Sequence, residues 1–127
     1  MNPVHEKTIY VIPMGKPRMT QQDRWKKRAP VVRYHAFSDE VRRQTQDIDL
    51  GDPSEVSWKA YLPIPKSWSK KKKAELAGQK HRQRPDRDNI DKAILDSLFE
   101  EDCRVSGGRL DKFWDDGNGP RIELEWS

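Results

Sequence analysis

Residues 89–99 (NIDKAILDSLF) contain good helix formers and neither Gly nor Pro. At about 100° per residue, Ile90, Ala93, Ile94 and Leu98 form a broad apolar arc. Leu95 and Phe99 lie on the far side of a narrow charged stripe made of Asp88, Lys92 and Asp96. A helix that is apolar round most of its circumference has to be enclosed, in a domain core or a subunit interface. One side of a small sheet would not cover it, so a two-fold partner is expected to bury the surplus around Leu95 and Phe99. Charges on such a helix need partners, and a metal ion could supply one.

The remaining elements follow from local pattern. Residues 7–14 (KTIYVIPM) read as a strand and residues 15–32 as a long basic loop with two prolines. A helix is predicted over 34–48, with Phe37, Val41 and Thr45 four apart and Ser38 near its start. Residues 55–65 read as a strand with Val56, Trp58, Ala60 and Leu62 on one face. Ser69 is placed to cap a short helix through Lys70–Lys73 to Ala77, closed by Gly78. Residues 79–85 read as a linker. Residues 109–114 and 121–126 alternate like strands, and the turn-rich 115–120 between them predicts a hairpin over 109–126. The order β–α–β–α–α–β–β implies a single α/β or α+β domain, with two or three helices on a small mixed, largely antiparallel sheet.

The chain has 127 residues, 33% hydrophobic and 36% charged, so its core is thin and five Trp residues must fill much of it. No apolar run is long enough to span a bilayer, and the polar N-terminus lacks a signal-peptide core; a soluble protein is expected. Cys103, the single cysteine, excludes an internal disulfide, fits a reducing compartment and reads as a small buried residue. His5, His35 and His81 lack zinc-like spacing, and Gly107-Gly108-Arg109 lacks the Lys-Ser/Thr of a phosphate loop, so no nucleotide cofactor is implied.

Charge is distributed unevenly. Residues 16–43 carry nine Lys/Arg against three acids and residues 66–87 nine against two, whereas residues 88–127 carry eleven acids against five bases. Two basic segments before an acidic one suit a polyanion-binding surface beside a carboxylate site, although solvated faces give the same pattern. Lysines at the start of the 70–77 helix oppose its macrodipole, and a nearby phosphate backbone would explain them.

The carboxylates cluster in Arg84-Pro85-Asp86-Arg87-Asp88-Asn89-Ile90-Asp91-Lys92 and in Glu100-Glu101-Asp102. Pro85 favours an extended Arg84. Asp86 and Asp88, two apart, would then point to one side, with Asp88 at the helix N-cap. Like charges so close repel unless a hard divalent cation such as Mg²⁺ or Mn²⁺ offsets them. Lys92 is placed to contact a phosphate. An N-cap with an i,i+4 ladder of Asp88, Lys92 and Asp96 is the alternative reading. Together with the basic segments, the pattern favours a metal-dependent phosphodiesterase.

These residues resemble the RusA-type endodeoxyribonucleases, Holliday junction resolvases common in phages and prophages. Their D-x-D-N-x-x-K motif matches Asp86 to Lys92; a further Asp with a D-A-L-like ending matches Asp96-Ser97-Leu98, and their acidic pair matches Glu101-Asp102. Gly15-Lys16-Pro17-Arg18, the segment Pro65 to Lys72 with His81 before Arg84-Pro85-Asp86, and the two C-terminal strands are also similar, so the likeness covers most of the chain. Two features depart from the family pattern: the pair is Glu-Asp, not Asp-Asp, and Val105-Ser106-Gly107-Gly108 brings glycines into a strand-like region.

The resemblance implies a nuclease of recombination and repair that resolves four-way junctions by paired phosphodiester hydrolysis. It assigns Asp86, Asp88 and Asp102 as catalytic metal carboxylates and Lys92 as the essential cation, with Asp96 and Glu101 as further candidate ligands. Mg²⁺ is the implied cofactor, with Mn²⁺ able to substitute. The basic loop 16–33 (Lys16, Arg18, Arg24, Lys26, Lys27 and Arg28, with Trp25 available for stacking) and the segment 66–84 (Lys70, Lys71, Lys72, Lys73 and Arg84) would grip DNA. The two-fold symmetry of a junction implies a homodimer, acting in the bacterial cytoplasm. Flaps or forks as substrates, or a non-catalytic phage DNA-binding protein, are the competing readings.

Overall fold

The computed structural model describes residues 4–18, 28–101 and 103–127. Its elements are β1 (His5–Ile9), α1 (Ala29–Thr45), β2 (Val56–Leu62), α2 (Lys70–Leu76), α3 (Arg87–Leu98), β3 (Leu110–Trp114) and β4 (Arg121–Trp126). The strands make one sheet in the order β1-β4-β2-β3. β4 runs antiparallel to β1 and to β2, while β2 and β3 are parallel. The expected single domain with a mixed, mostly antiparallel sheet and three helices is what forms.

One face of the sheet carries the core. Val56, Trp58, Ala60 and Leu62 of β2 are buried, as the two-residue alternation predicts, beside Ile122, Leu124 and Trp126 of β4. Tyr34, Phe37 and Val41 of α1 and Ile90, Ala93, Ile94 and Leu95 of α3 complete the same cluster. Each large side chain buried there contributes roughly 1.5–3 kcal/mol. The i,i+4 charge pairs on α3 are worth only about 0.2–0.5 kcal/mol each. The apolar arc therefore sets the orientation of α3. Leu95 is 8% exposed and Phe99 packs against the core. The apolar surplus assigned to a subunit partner is thus covered within the chain, by α1 as well as the sheet.

The C-terminal hairpin is corrected by the sheet order: β3 and β4 lie on either side of β2. The 115–120 turn chemistry is real, with the Gly117 and Gly119 amides both donating to Asp115 Oδ1 at 3.0 Å. It directs a reversal without choosing the next strand's neighbour. β4, whose inward face is wholly apolar, takes a central position and leaves the edge to β3, whose inward face includes Lys112. Arg121 closes this loop with two 3.0 Å bonds to the Asp116 carboxylate, holding Asp116 down at about 2, and lies 3.9 Å over the Tyr61 ring.

Other boundaries move for local reasons. β1 ends at Ile9, five residues before the expected Met14. α1 starts at Ala29, so its first turn lies inside the predicted loop; Pro30 belongs to that turn, where a missing N–H costs nothing. Ser38 is buried within the helix and caps nothing. Ser69 does cap α2, accepting from the Lys72 amide at 3.2 Å. Cys103 is exposed, contrary to expectation, because it follows α3 in an unpaired turn.

Of the glycines at 107–108, Gly108 has a steric cause. The Val56 amide donates to Gly107 O at 3.0 Å, and a Cβ on Gly108, at φ +151°, would stand 1.9 Å from Val56 O. Gly108→Ala should therefore lower unfolding free energy by about 3 kcal/mol, read from urea denaturation, since backbone cannot move aside cheaply.

Candidate active site

α3 presents its N-terminus at the mouth of a cleft. Asp86, at φ −68° and ψ 148°, occupies the N-cap position with no side-chain capping bond, and its carbonyl accepts from the Ile90 amide at 3.1 Å. Asp88 lies inside the first turn, so it is neither the N-cap nor part of an extended pair with Asp86. Both carboxylates are exposed, and among the described residues neither accepts a side-chain hydrogen bond.

Lys92 is exposed one turn further along the same stripe, and Asp96 follows after another turn. Asp96 forms an ion pair with Lys16, which reaches it from the loop after β1. The Lys16 amide donates to Asn89 O at 3.2 Å. Gly15 lies so close that an added Cβ would be 3.1 Å from Asn89 Cβ and 3.2 Å from Pro85 Cβ. This strap encloses a cleft of about 540 Å³ lined by Gly15, Lys16, Arg84, Pro85, Asp86 and Asn89. On the other side of Lys16 a second cleft reaches Arg42, Asp96 and Glu100. Arg42 of α1 donates to Ser97 O at 3.0 Å, a cation at the negative end of α3. Asp91 leaves the stripe and accepts from Trp58 Nε1 at 2.9 Å, fixing α3 to β2.

Asp86 and Asp88 thus both belong to the N-terminal end of α3, at the N-cap and in the first turn, with Lys92 one turn beyond Asp88 and Arg84 beside Asp86 on the cleft wall. Glu100 and Glu101 are exposed just beyond α3. Asp102 lies outside the described residues, as do Arg24, Trp25, Lys26 and Lys27. Among the described residues no group of three His, Cys, Asp or Glu side chains is gathered for a metal ion. The donor set that is present, two exposed carboxylates at the start of α3 of which Asp86 lines the cleft, suits a hard cation that retains several waters.

The supposed linker 79–85 is tied to the edge of β3. Trp114 and His81 amides donate to Gln79 O at 2.8 Å and Lys112 O at 3.0 Å. The His81 ring packs on Trp114 at 4.2 Å, and Trp68 meets Trp114 edge-on at 4.8 Å. Burial, helped by the Lys112 charge, pushes the His81 pKa below its ordinary 6.5, and Nδ1 accepts from the Gln83 amide at 3.4 Å. Lys112 donates to Gln83 O at 2.7 Å and Pro85 O at 2.8 Å. Neither contact was foreseen; the available signal was a lysine in phase with Leu110 and Trp114 on the inward face of a strand.

Of the expected DNA contacts, Lys70, Lys71 and Lys72 are exposed on α2, a helix without a buried residue. Lys72 lies 4.1 Å over the Trp68 ring, which joins α2 to the Trp68–Trp114–His81 stack and so to the segment entering Asp86. Arg18, Arg28 and Arg84 are exposed too, with Arg28 donating to Arg18 O at 2.8 Å. No described helix is long and apolar enough to cross a membrane.

A family model described as Endodeoxyribonuclease RusA matches residues 9–125, nearly the whole chain. Comparison with curated proteins gave no match.

Two outcomes follow from this geometry. Changing Lys70, Lys71, Lys72 and Lys73 to Gln should weaken junction-DNA binding and flatten the plot of log K against log salt by about 2–4 units. An unchanged slope would make α2 a solvated face. For His81, the folded pKa is depressed, so the unfolded chain takes up the proton first as pH falls. Stability should therefore drop as pH descends below about 6.5 and level off once the folded form also protonates. His81→Gln should show a smaller loss between pH 7.5 and 5.5 in urea midpoints.

Proposed function

The chain belongs to the RusA endodeoxyribonuclease family, metal-dependent nucleases that resolve Holliday junctions, and from that premise we propose how its own residues carry the reaction. Asp86 and Asp88 at the start of α3, with Asp102 as third carboxylate, hold Mg²⁺, for which Mn²⁺ can substitute. The observation that carries this reading is the exposed Asp86 carboxylate on a cleft flanked by Arg84 and Lys16, with the exposed Asp88 two residues on in the first turn of α3. When bound, the cation supplies Lewis-acid contact to the phosphate and a water of lowered pKa.

The chain's own residues do the rest. Lys92 stabilises negative charge developing on the phosphate, the gain being largest in the transition state. Asp96, assigned from sequence as a secondary ligand or a partner of Lys92, is engaged by Lys16. It therefore orients Lys16 on the cleft wall. Arg84, Arg18, Arg28 and Lys70–Lys73, together with Arg24, Lys26, Lys27 and the stacking candidate Trp25, grip the DNA backbones. Glu101 is the alternative to Asp102. A four-way junction has two-fold symmetry, so paired cuts call for two such sites in a homodimer, working in the bacterial cytoplasm on phage or host DNA.

Asp88→Asn cancels one ligand charge with little change of shape. It should abolish Mg²⁺-dependent cleavage of junction DNA while leaving binding intact or slightly tighter, measured by gel assays on junction, flap and linear substrates. Dimers mixed from wild-type and Asp88→Asn protomers should nick one strand where wild type cuts two. Cleavage by the pure variant would sink the assignment, and preferential cutting of flaps by wild type would move the substrate.

A further inference from the structure

Lys112 is the one lysine of β3, and it lies half-buried on the inward face of that edge strand. It stands under the chain that leads into α3, donating to Gln83 O at 2.7 Å and to Pro85 O at 2.8 Å. These carbonyls bracket Arg84 and immediately precede Asp86, whose negative charge Lys112 also faces. The His81 amide donates to the Lys112 carbonyl from the same segment, so backbone and side chain of one residue hold residues 81–85 at three points, His81, Gln83 and Pro85.

We propose that Lys112 is a positioning residue of the hydrolytic site, fixing the turn that presents the Asp86 carboxylate and the Arg84 side chain to the cleft. The proposal rests on the reading of Asp86 as a metal ligand. A lysine half withdrawn from water at a position that would accept an apolar side chain is poorly explained by stability. Burial pushes its pKa down, against the opposing pull of the Asp86 charge. What it does supply is a set of directional donors that an apolar residue could not. Without them two carbonyls lose their partner, and the residue that follows is free to turn.

The test is Mn²⁺ binding to the full chain without DNA, by calorimetry, alongside single-turnover junction cleavage. Lys112→Met should fold, and should bind Mn²⁺ about 10–100-fold more weakly, as expected when support behind a metal ligand is removed. Junction affinity measured without divalent metal should stay within about threefold, because Lys112 does not face the DNA. Wild-type Mn²⁺ affinity in Lys112→Met would overturn the proposal. If the Met variant does not fold, Lys112→Gln carries the same expectation and the same overturning result. Asp86→Asn separates the two levels of argument. Mn²⁺ binding unaffected by Asp86→Asn would overturn the ligand reading and this proposal with it. Binding lost in Asp86→Asn but kept in Lys112→Met would overturn the positioning role alone. In the double variant, Lys112→Met should add no further loss, since it acts through Asp86; an undiminished additional loss would place its effect elsewhere and overturn the proposal.

Discussion

Ile90, Ala93, Ile94 and Leu95 share one buried cluster with Trp58, Ala60, Ile122 and Leu124, and once α3 is held there its charged stripe has one direction left to face. The apolar contacts outweigh the stripe's own charge pairs several-fold, so the orientation of the carboxylates is a consequence of core packing. The 2.9 Å bond from Trp58 Nε1 to Asp91 adds a directional tie at the middle of the helix. It also explains why this Asp, adjacent to the motif's others, takes no part in the cleft.

Around that helix the chain arranges opposite charges in separate tasks. Lys16, Arg42 and Lys112 come from three different elements and each engages a group of α3 or its approach: Asp96, the carbonyls of the last turn, and the turn before Asp86. Arg84, Lys92 and the lysines of α2 stay on the surface, where a polyanion can reach them. The first three engage groups of the chain itself, and the others present their charge outward. A site for hydrolysing a phosphodiester needs both, because unshielded carboxylates alone would repel the substrate.

The edges of the sheet show how a thin core is made sufficient. Residues 79–81 pair with the outer side of β3, and His81, Trp114 and Trp68 pack in sequence beneath α2. Aromatic area there replaces aliphatic side chains the composition does not supply. The same packing connects the basic helix, through Lys72 over the Trp68 ring, to the segment that leads into Asp86.

The sequence by itself determined what depends on near neighbours. Alternation located the inward face of β2 and marked β3 and β4 as strands; Ser69 and Gly78 bounded α2; the 3.6-residue period showed that α3 must be enclosed with Asp88, Lys92 and Asp96 on one stripe. The adjacency of Asp86 and Asp88, and the family motif, were legible for the same reason. Tertiary structure decided the rest. Whether β3 or β4 lies beside β2's antiparallel edge depends on which inward face gains most from a central position, a competition no local pattern records. The Lys16–Asp96 pair joins residues 80 apart, and Lys112 meets Pro85 O across 27. A charged side chain advertises that it needs a partner, but only the folded chain, by bringing distant backbone and side-chain groups within hydrogen-bond reach, decides which one it finds.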